Sequence, residues 1–127
     1  MHIRTIISTL TLAFIFFAGC TSTKVSPQSN SMSVEGTVWI GKNSYGDDYT
    51  FFFLPRGALH YKSPTGFWKK ATWKQKRNTI YMETNNKYAE YKGTIQNNVM
   101  RGKAWNIKGR QLDIVCKKVI YPTKSIM

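Results

Sequence analysis

Residues 88–105 read "YAEYKGTIQNNVMRGKAW". As far as Gln96, alternate positions differ in kind. Ala89, Tyr91, Gly93 and Ile95 form one set, and Tyr88, Glu90, Lys92 and Thr94 form the other. Successive side chains of a strand point to opposite faces, so this period predicts a strand with the first set turned inward. Asn97-Asn98 then interrupts it. Asparagine tolerates the positive φ that a tight hairpin turn demands. A second strand over 99–106 completes an antiparallel hairpin.

The same grammar extends in both directions. Runs rich in Tyr, Phe, Trp, Val, Ile and Thr recur at 36–41, 48–54, 58–62, 67–74, 79–84, 88–95, 99–106 and 111–118. The breaks carry turn residues: Gly46-Asp47, Pro55 with Gly57, Pro64 with Gly66, Asn85-Asn86 and Gly109. No part of this region shows a helical period with caps. Residues 35–119 are therefore expected to form one all-β domain, an antiparallel up-and-down meander of about eight strands. A meander of this size can close into a barrel, which removes exposed edges. A partly open barrel or a sandwich is the alternative. On the last strand Leu112, Ile114 and Cys116 are expected inside. The run 48–54 is apolar on both faces, which predicts cover on both. The domain's 14 aromatic side chains are expected to fill most of so small an interior and leave a shallow pocket at best. Residues 120–127 are read as a tail.

The order of elements is similar to that of lipocalins and avidins. Lipocalins carry Gly-x-Trp in the first strand, whereas here Gly36-Thr37-Val38-Trp39 sets the tryptophan one position further on. No residues match the biotin site of avidins, so neither ligand is carried over.

The chain's other distinct part is its start. After Met1-His2-Ile3-Arg4, residues 6–17 are apolar apart from Ser8, Thr9 and Thr11. This run falls well short of the ~20 residues a helix needs to cross a bilayer. A charged start, a short apolar run and small residues make the layout of a secretory signal peptide. Its end, Phe17-Ala18-Gly19-Cys20, resembles the lipobox of bacterial lipoproteins, with Phe17 standing where leucine is usual. The resemblance implies removal of residues 1–19 and a diacylglycerol on the Cys20 sulfur. It leaves Cys116 without a disulfide partner. Thr21-Ser22 after the cysteine, rather than Asp, implies by the same resemblance the outer membrane of a Gram-negative envelope. Residues 20–34 then form the lipidated cysteine and a tether rich in serine. Its composition cannot offset the entropy of ordering.

Lys and Arg outnumber Asp and Glu by 19 to 6, giving a net charge of +13. Such a chain attracts polyanions. For an exported protein these are anionic lipids, lipopolysaccharide and acidic cell-wall polymers rather than nucleic acid. The stretch "FWKKATWKQKR", 67–77, concentrates the charge beside aromatic rings. Trp68, Lys69, Lys70, Lys74, Lys76 and Arg77 are the candidate binding surface. The alternative is an ordinary barrel strand with Trp73 in the core and its lysines in solvent.

Little here can carry catalysis. His2 leaves with the signal peptide, so His60 is the one remaining histidine, and it alternates away from the expected inner face of Cys116. Asp47-Asp48 follows Gly46 and reads as turn chemistry rather than a calcium site. Glu83 and Glu90 can act as an acid–base pair only if their strands meet around a cleft. No metal, cofactor or phosphate-loop pattern is present. The expected function is a non-enzymatic, membrane-anchored envelope binding module. An inhibitor or accessory protein of an envelope enzyme or assembly is the alternative, and a small hydrolase the weakest. Cells fed labelled fatty acid are expected to label the protein, and Cys20→Ala to abolish the label. A Cys20→Ala chain that remains labelled contradicts the lipobox assignment.

Overall fold

The computed structural model describes residues 32–121 and, outside them, Gly19 alone. Phe17, Ala18 and Cys20 of the lipobox, the rest of the signal segment and residues 122–127 lie outside the described residues. The described chain holds eight strands: β1 (Val38–Asn43), β2 (Asp48–Phe53), β3 (Ala58–Ser63), β4 (Gly66–Lys76), β5 (Thr79–Thr84), β6 (Ala89–Gln96), β7 (Val99–Asn106) and β8 (Gln111–Lys118). Each pairs antiparallel with its neighbour in sequence, and β8 returns to β1. The fold is a closed up-and-down barrel, as the alternation predicts.

Two strand boundaries depart from the expected ones for local reasons. β1 starts at Val38, because Gly36 takes φ 76° in a turn where the Thr37 N–H donates to the Val34 carbonyl. β4 is longer than its pattern suggests because Gly66 pairs with Ser63, and Gln75 and Lys76 pair with Ile80 and Thr79; it also contains a bulge. Leu59 lies opposite Ala71 and Tyr61 opposite Trp68, so Lys69 and Lys70 together face His60. The extra residue returns Trp68 to the inner face.

The inner faces of β6 and β8 are those expected: Tyr91, Ile114 and Cys116 are buried. β2 differs. Tyr49, Phe51 and Phe53 face inward, but nothing like a second layer covers its outer side among the described residues. Phe52 is instead half-buried on the outer wall, edge-on to Phe67 at 6.0 Å, and Phe67 also meets the His60 ring at 5.7 Å. A local aromatic cluster takes the place of the expected cover.

Antiparallel strands give the barrel two unlike ends. The chain enters at one end, called the base, where the β2–β3, β4–β5 and β6–β7 turns also lie. Val34 plugs the base, with Trp39, Phe53 and Leu59 packed above it. The Val34 N–H donates to Gln75 Oε1 at 2.9 Å, and Gln75 Nε2 donates to the Met32 carbonyl. Met32–Val34, tether by composition, thus belong to the packed base. Two indoles close the same end through their N–H groups, Trp39 to Thr37 Oγ1 and Trp73 to the Leu54 carbonyl. The β6–β7 turn has φ 51° at Asn97 and 60° at Asn98, the tight-turn conformation that Asn-Asn predicts.

No helix among the described residues is long and apolar enough to cross a membrane. The outer wall presents Lys42, Lys62, Lys74, Lys92, Lys103 and Lys117, all exposed. On a lipid-facing wall each lysine near mid-bilayer would cost about 2–4 kcal/mol.

The seam between β1 and β8 is tight. Gly41 lies opposite Cys116, and a Cβ on it would overlap the Val115 carbonyl oxygen and sit 2.6 Å from Cys116 Sγ. A backbone obstacle cannot swing aside as a side-chain tip can. Gly41→Ala is expected to cost about 3 kcal/mol or more, read as a lowered urea midpoint; an unchanged midpoint would show that the seam yields freely.

Candidate functional site

The second end, the mouth, is formed by the β1–β2, β3–β4, β5–β6 and β7–β8 loops. Beneath it the barrel is not filled. A cup of about 1010 Å³ reaches down to Phe51, Met82, Tyr91 and Ile114. The expected shallow pocket is therefore corrected, for two reasons. Tyr45, Phe52 and Tyr81 spend their rings outside the cup, and Phe67 and Trp105, on the outward parity of β4 and β7, reach it only at the rim. The inward positions nearest the mouth on β3, β5 and β6 are Ser63, Thr84 and Ala89, and on β7 Ala104 sits just below Asn106, whose side chain is engaged in the β7–β8 turn, so none of them fills it. A smaller crevice of about 330 Å³ lies at the base, beside Val34 and Gln75.

Rings line one side of the cup. Tyr61 and Trp68 stack at 6.5 Å with planes 23° apart, and Tyr49 stacks on Phe51 at 5.9 Å. Trp68 is 46% exposed at the rim, and its indole N–H donates to Ser63 Oγ at 3.1 Å. Burial raises the Tyr61 pKa; contact with Thr84 opposes the shift and Tyr49 adds to it, so its phenol stays a neutral donor. Deeper in, Tyr91 lies over a notch made by Gly93 and Gly102, which face each other across β6 and β7. Its hydroxyl is buried and has no hydrogen-bond partner. Burial, with Cys116 nearby, holds its pKa well above the usual phenol value.

Two loops of the mouth, β1–β2 and β7–β8, are built on the same turn. Asn43 Oδ1 accepts from the N–H groups of Tyr45 and Asp47, two and four residues on. Asn106 Oδ1 accepts from Lys108 and Arg110 at the same spacing. Gly46 and Gly109 take φ 85° and 78° at matching positions. "NSYGD" and "NIKGR" are thus two copies of an Asn-x-x-Gly-x turn, and that spacing was the available signal. Asn43 Nδ2 also donates to Asp47 Oδ2, so Asp47 serves the turn, as expected. The two loops meet where the Arg110 guanidinium lies 4.9 Å over the Tyr45 ring, a contact worth about 0.5–1 kcal/mol when exposed.

The candidate surface of 68–77 is divided by the length of β4. Trp68 lines the cup, and Lys69 and Lys70 form the bulge at its rim. Lys74 and Lys76 project from the outer wall near the base, and Arg77 occupies the β4–β5 turn with φ 54°. Trp73 faces inward, edge-on to Phe53 at 5.7 Å. His60 and Cys116 lie on opposite faces of the sheet, and burial pushes the thiol up to about 12, so it carries no nucleophilic thiolate at neutral pH. Glu83 and Glu90 are direct cross-strand partners, but on the outer wall, where Glu90 Oε2 accepts from Trp105 Nε1 at 3.0 Å. No cleft lies between them. Among the described residues no group of three or more His, Cys, Asp or Glu is placed to hold a metal ion.

No known protein family matches the chain, and no curated protein or solved structure is detectably similar to it.

Asn43 is buried and makes three side-chain hydrogen bonds. Asn43→Ala is expected to cost ~2–3 kcal/mol in urea unfolding and to speed amide exchange across 44–48. Unchanged exchange there would mean that the backbone alone sets the turn.

Proposed function

We propose that the chain is a lipid-anchored envelope protein whose barrel acts as a non-enzymatic binding module, taking a small, largely apolar ligand in the mouth cup. The observation that carries this reading is the unfilled interior. Burial of apolar surface is what stabilises a small barrel, and leaving about 1010 Å³ open forgoes part of that stabilisation. The volume is at the upper end of that found for small-molecule sites. Its lining is also of the kind such sites use, stacked rings with a few polar groups, the Ser63 hydroxyl and the Tyr61 phenol among them. The Cys20 anchor would hold the module at a membrane by its acyl chains, without any spanning helix.

What supports a non-catalytic reading is that His60, Glu83 and Cys116 are not among the residues lining the cup, while Asp47 is engaged by Asn43 and Glu90 by Trp105. His60 and the Glu83–Glu90 pair stand on the outer wall, and the Cys116 thiol is sealed in the core. The test uses N-phenyl-1-naphthylamine, a neutral apolar dye that brightens in dry sites. One dye per barrel is expected, with Tyr61→Ala/Trp68→Ala weakening binding about tenfold while circular dichroism is unchanged. A dye that fails to bind, or binds the double variant equally well, contradicts the cup as a ligand site.

A further inference from the structure

Charge is divided unequally between the two ends of the barrel. Of the six acidic residues, Asp47 and Asp48 lie at the β1–β2 loop, and Glu83, Glu90 and Asp113 lie in the mouth halves of their strands. Glu35 alone is at the base. Both side-chain ion pairs among the described residues, Lys42–Asp48 and Lys103–Asp113, are in the mouth half. The base gathers Arg56, Lys74, Lys76, Arg77, Lys117 and Lys118, and all but Lys118 are exposed. The mouth half also carries cations, Lys42, Lys62, Lys69, Lys70, Lys87, Lys92, Lys103, Lys108 and Arg110, but five carboxylates offset them. Glu35 alone offsets those of the base, so the base has the larger uncompensated positive charge to set against an anionic counter-surface.

Two further observations say what that surface is. Large apolar side chains stand in solvent where the chain enters and leaves the base, Met32 at 79% exposed, Ile120 at 70% and Tyr121 at 73%, as Tyr45, Phe67, Trp68 and Ile107 do at the mouth. Apolar and tyrosyl groups among cations are what a headgroup interface accepts, whereas a purely electrostatic partner gives them no place to go. The chain before Met32, which carries the candidate anchor, also joins the barrel at this end through Gln75. We propose that the base is a docking surface for an anionic phospholipid bilayer, seating the barrel upright with its cup opening away from the membrane. Each cation near an anionic surface contributes roughly a fivefold gain in affinity, and the entering and leaving chains supply apolar contacts at the same place.

The inference does not rest on what the cup binds. The barrel closes on itself and draws its core from residues 34–116, so residues 31–127 fold without the signal segment and anchor and serve for the test. Binding is measured by co-sedimentation with vesicles of phosphatidylcholine, alone or mixed with phosphatidylglycerol. Preference for the mixed vesicles, weakening with salt, is expected. Lys74→Gln/Lys76→Gln/Arg77→Gln removes three charges at the base and is expected to weaken binding about 100-fold. Lys69→Gln/Lys70→Gln/Arg110→Gln removes as many at the mouth and is expected to change it by no more than about threefold. Equal losses for the two triples would show that net charge acts without a docking face. Equal binding to both vesicles overturns the proposal, as does tighter binding of duplex DNA at the same ionic strength. Dye binding in the cup is scored separately, so failure here leaves the cup reading standing.

Discussion

Closure of the sheet between β1 and β8 is the constraint on which the rest of the molecule depends, and it turns on the bare backbone of Gly41. There the two strands approach so closely that Val115 and Cys116 occupy the space a side chain would need. Once the seam is shut, every strand has two partners and no edge is left to pair with another chain. Inside and outside are then assigned to alternate residues all the way round. A barrel that failed to close would expose the β1 and β8 edges and release the packing of Cys116 against Met100, its cross-strand partner.

Closure by itself treats the two ends alike. The difference comes from what the chain places at each. At the base the entering segment supplies Val34 as a plug, and Trp39, Phe53 and Trp73 complete a packed floor. At the mouth there is no corresponding plug, and the inward residues shrink to Ser63, Thr84, Ala89 and Ala104. Paired Asn-x-x-Gly-x turns brace the rim around the opening. Charge follows the same axis, with the carboxylates at the mouth and an almost purely basic base. One end thus offers an open cup and the other a surface nearly free of carboxylates.

Much of this was legible in the residues. The period-two pattern of 88–95 and 111–118 assigned Tyr91 and Cys116 to the interior, and Asn97-Asn98 marked a tight turn, because these depend on local geometry alone. The bulge at Lys69–Lys70 was not legible, since it is defined only by the partner strand. Without it, a two-residue count places Trp68 on the wall opposite Ala71, and the basic stretch reads as one surface rather than two ends. The number of aromatic residues does not reveal the cup, because its space depends on the small inward residues Ser63, Thr84, Ala89 and Ala104 towards the mouth. The split of charge between the ends needed only the alternating direction of the strands, and so was present in the sequence once the meander was granted. The lipobox reading concerns residues outside those described and rests on the residues themselves.

The central claim is that the barrel keeps its interior open in order to hold a ligand. Native mass spectrometry of the protein isolated from its own host in mild detergent tests it most directly. The account predicts a one-to-one complex with a small molecule that leaves on unfolding and is absent from the Tyr61→Ala/Trp68→Ala protein. Detection of the chain alone, with no such adduct in the folded protein, would contradict it.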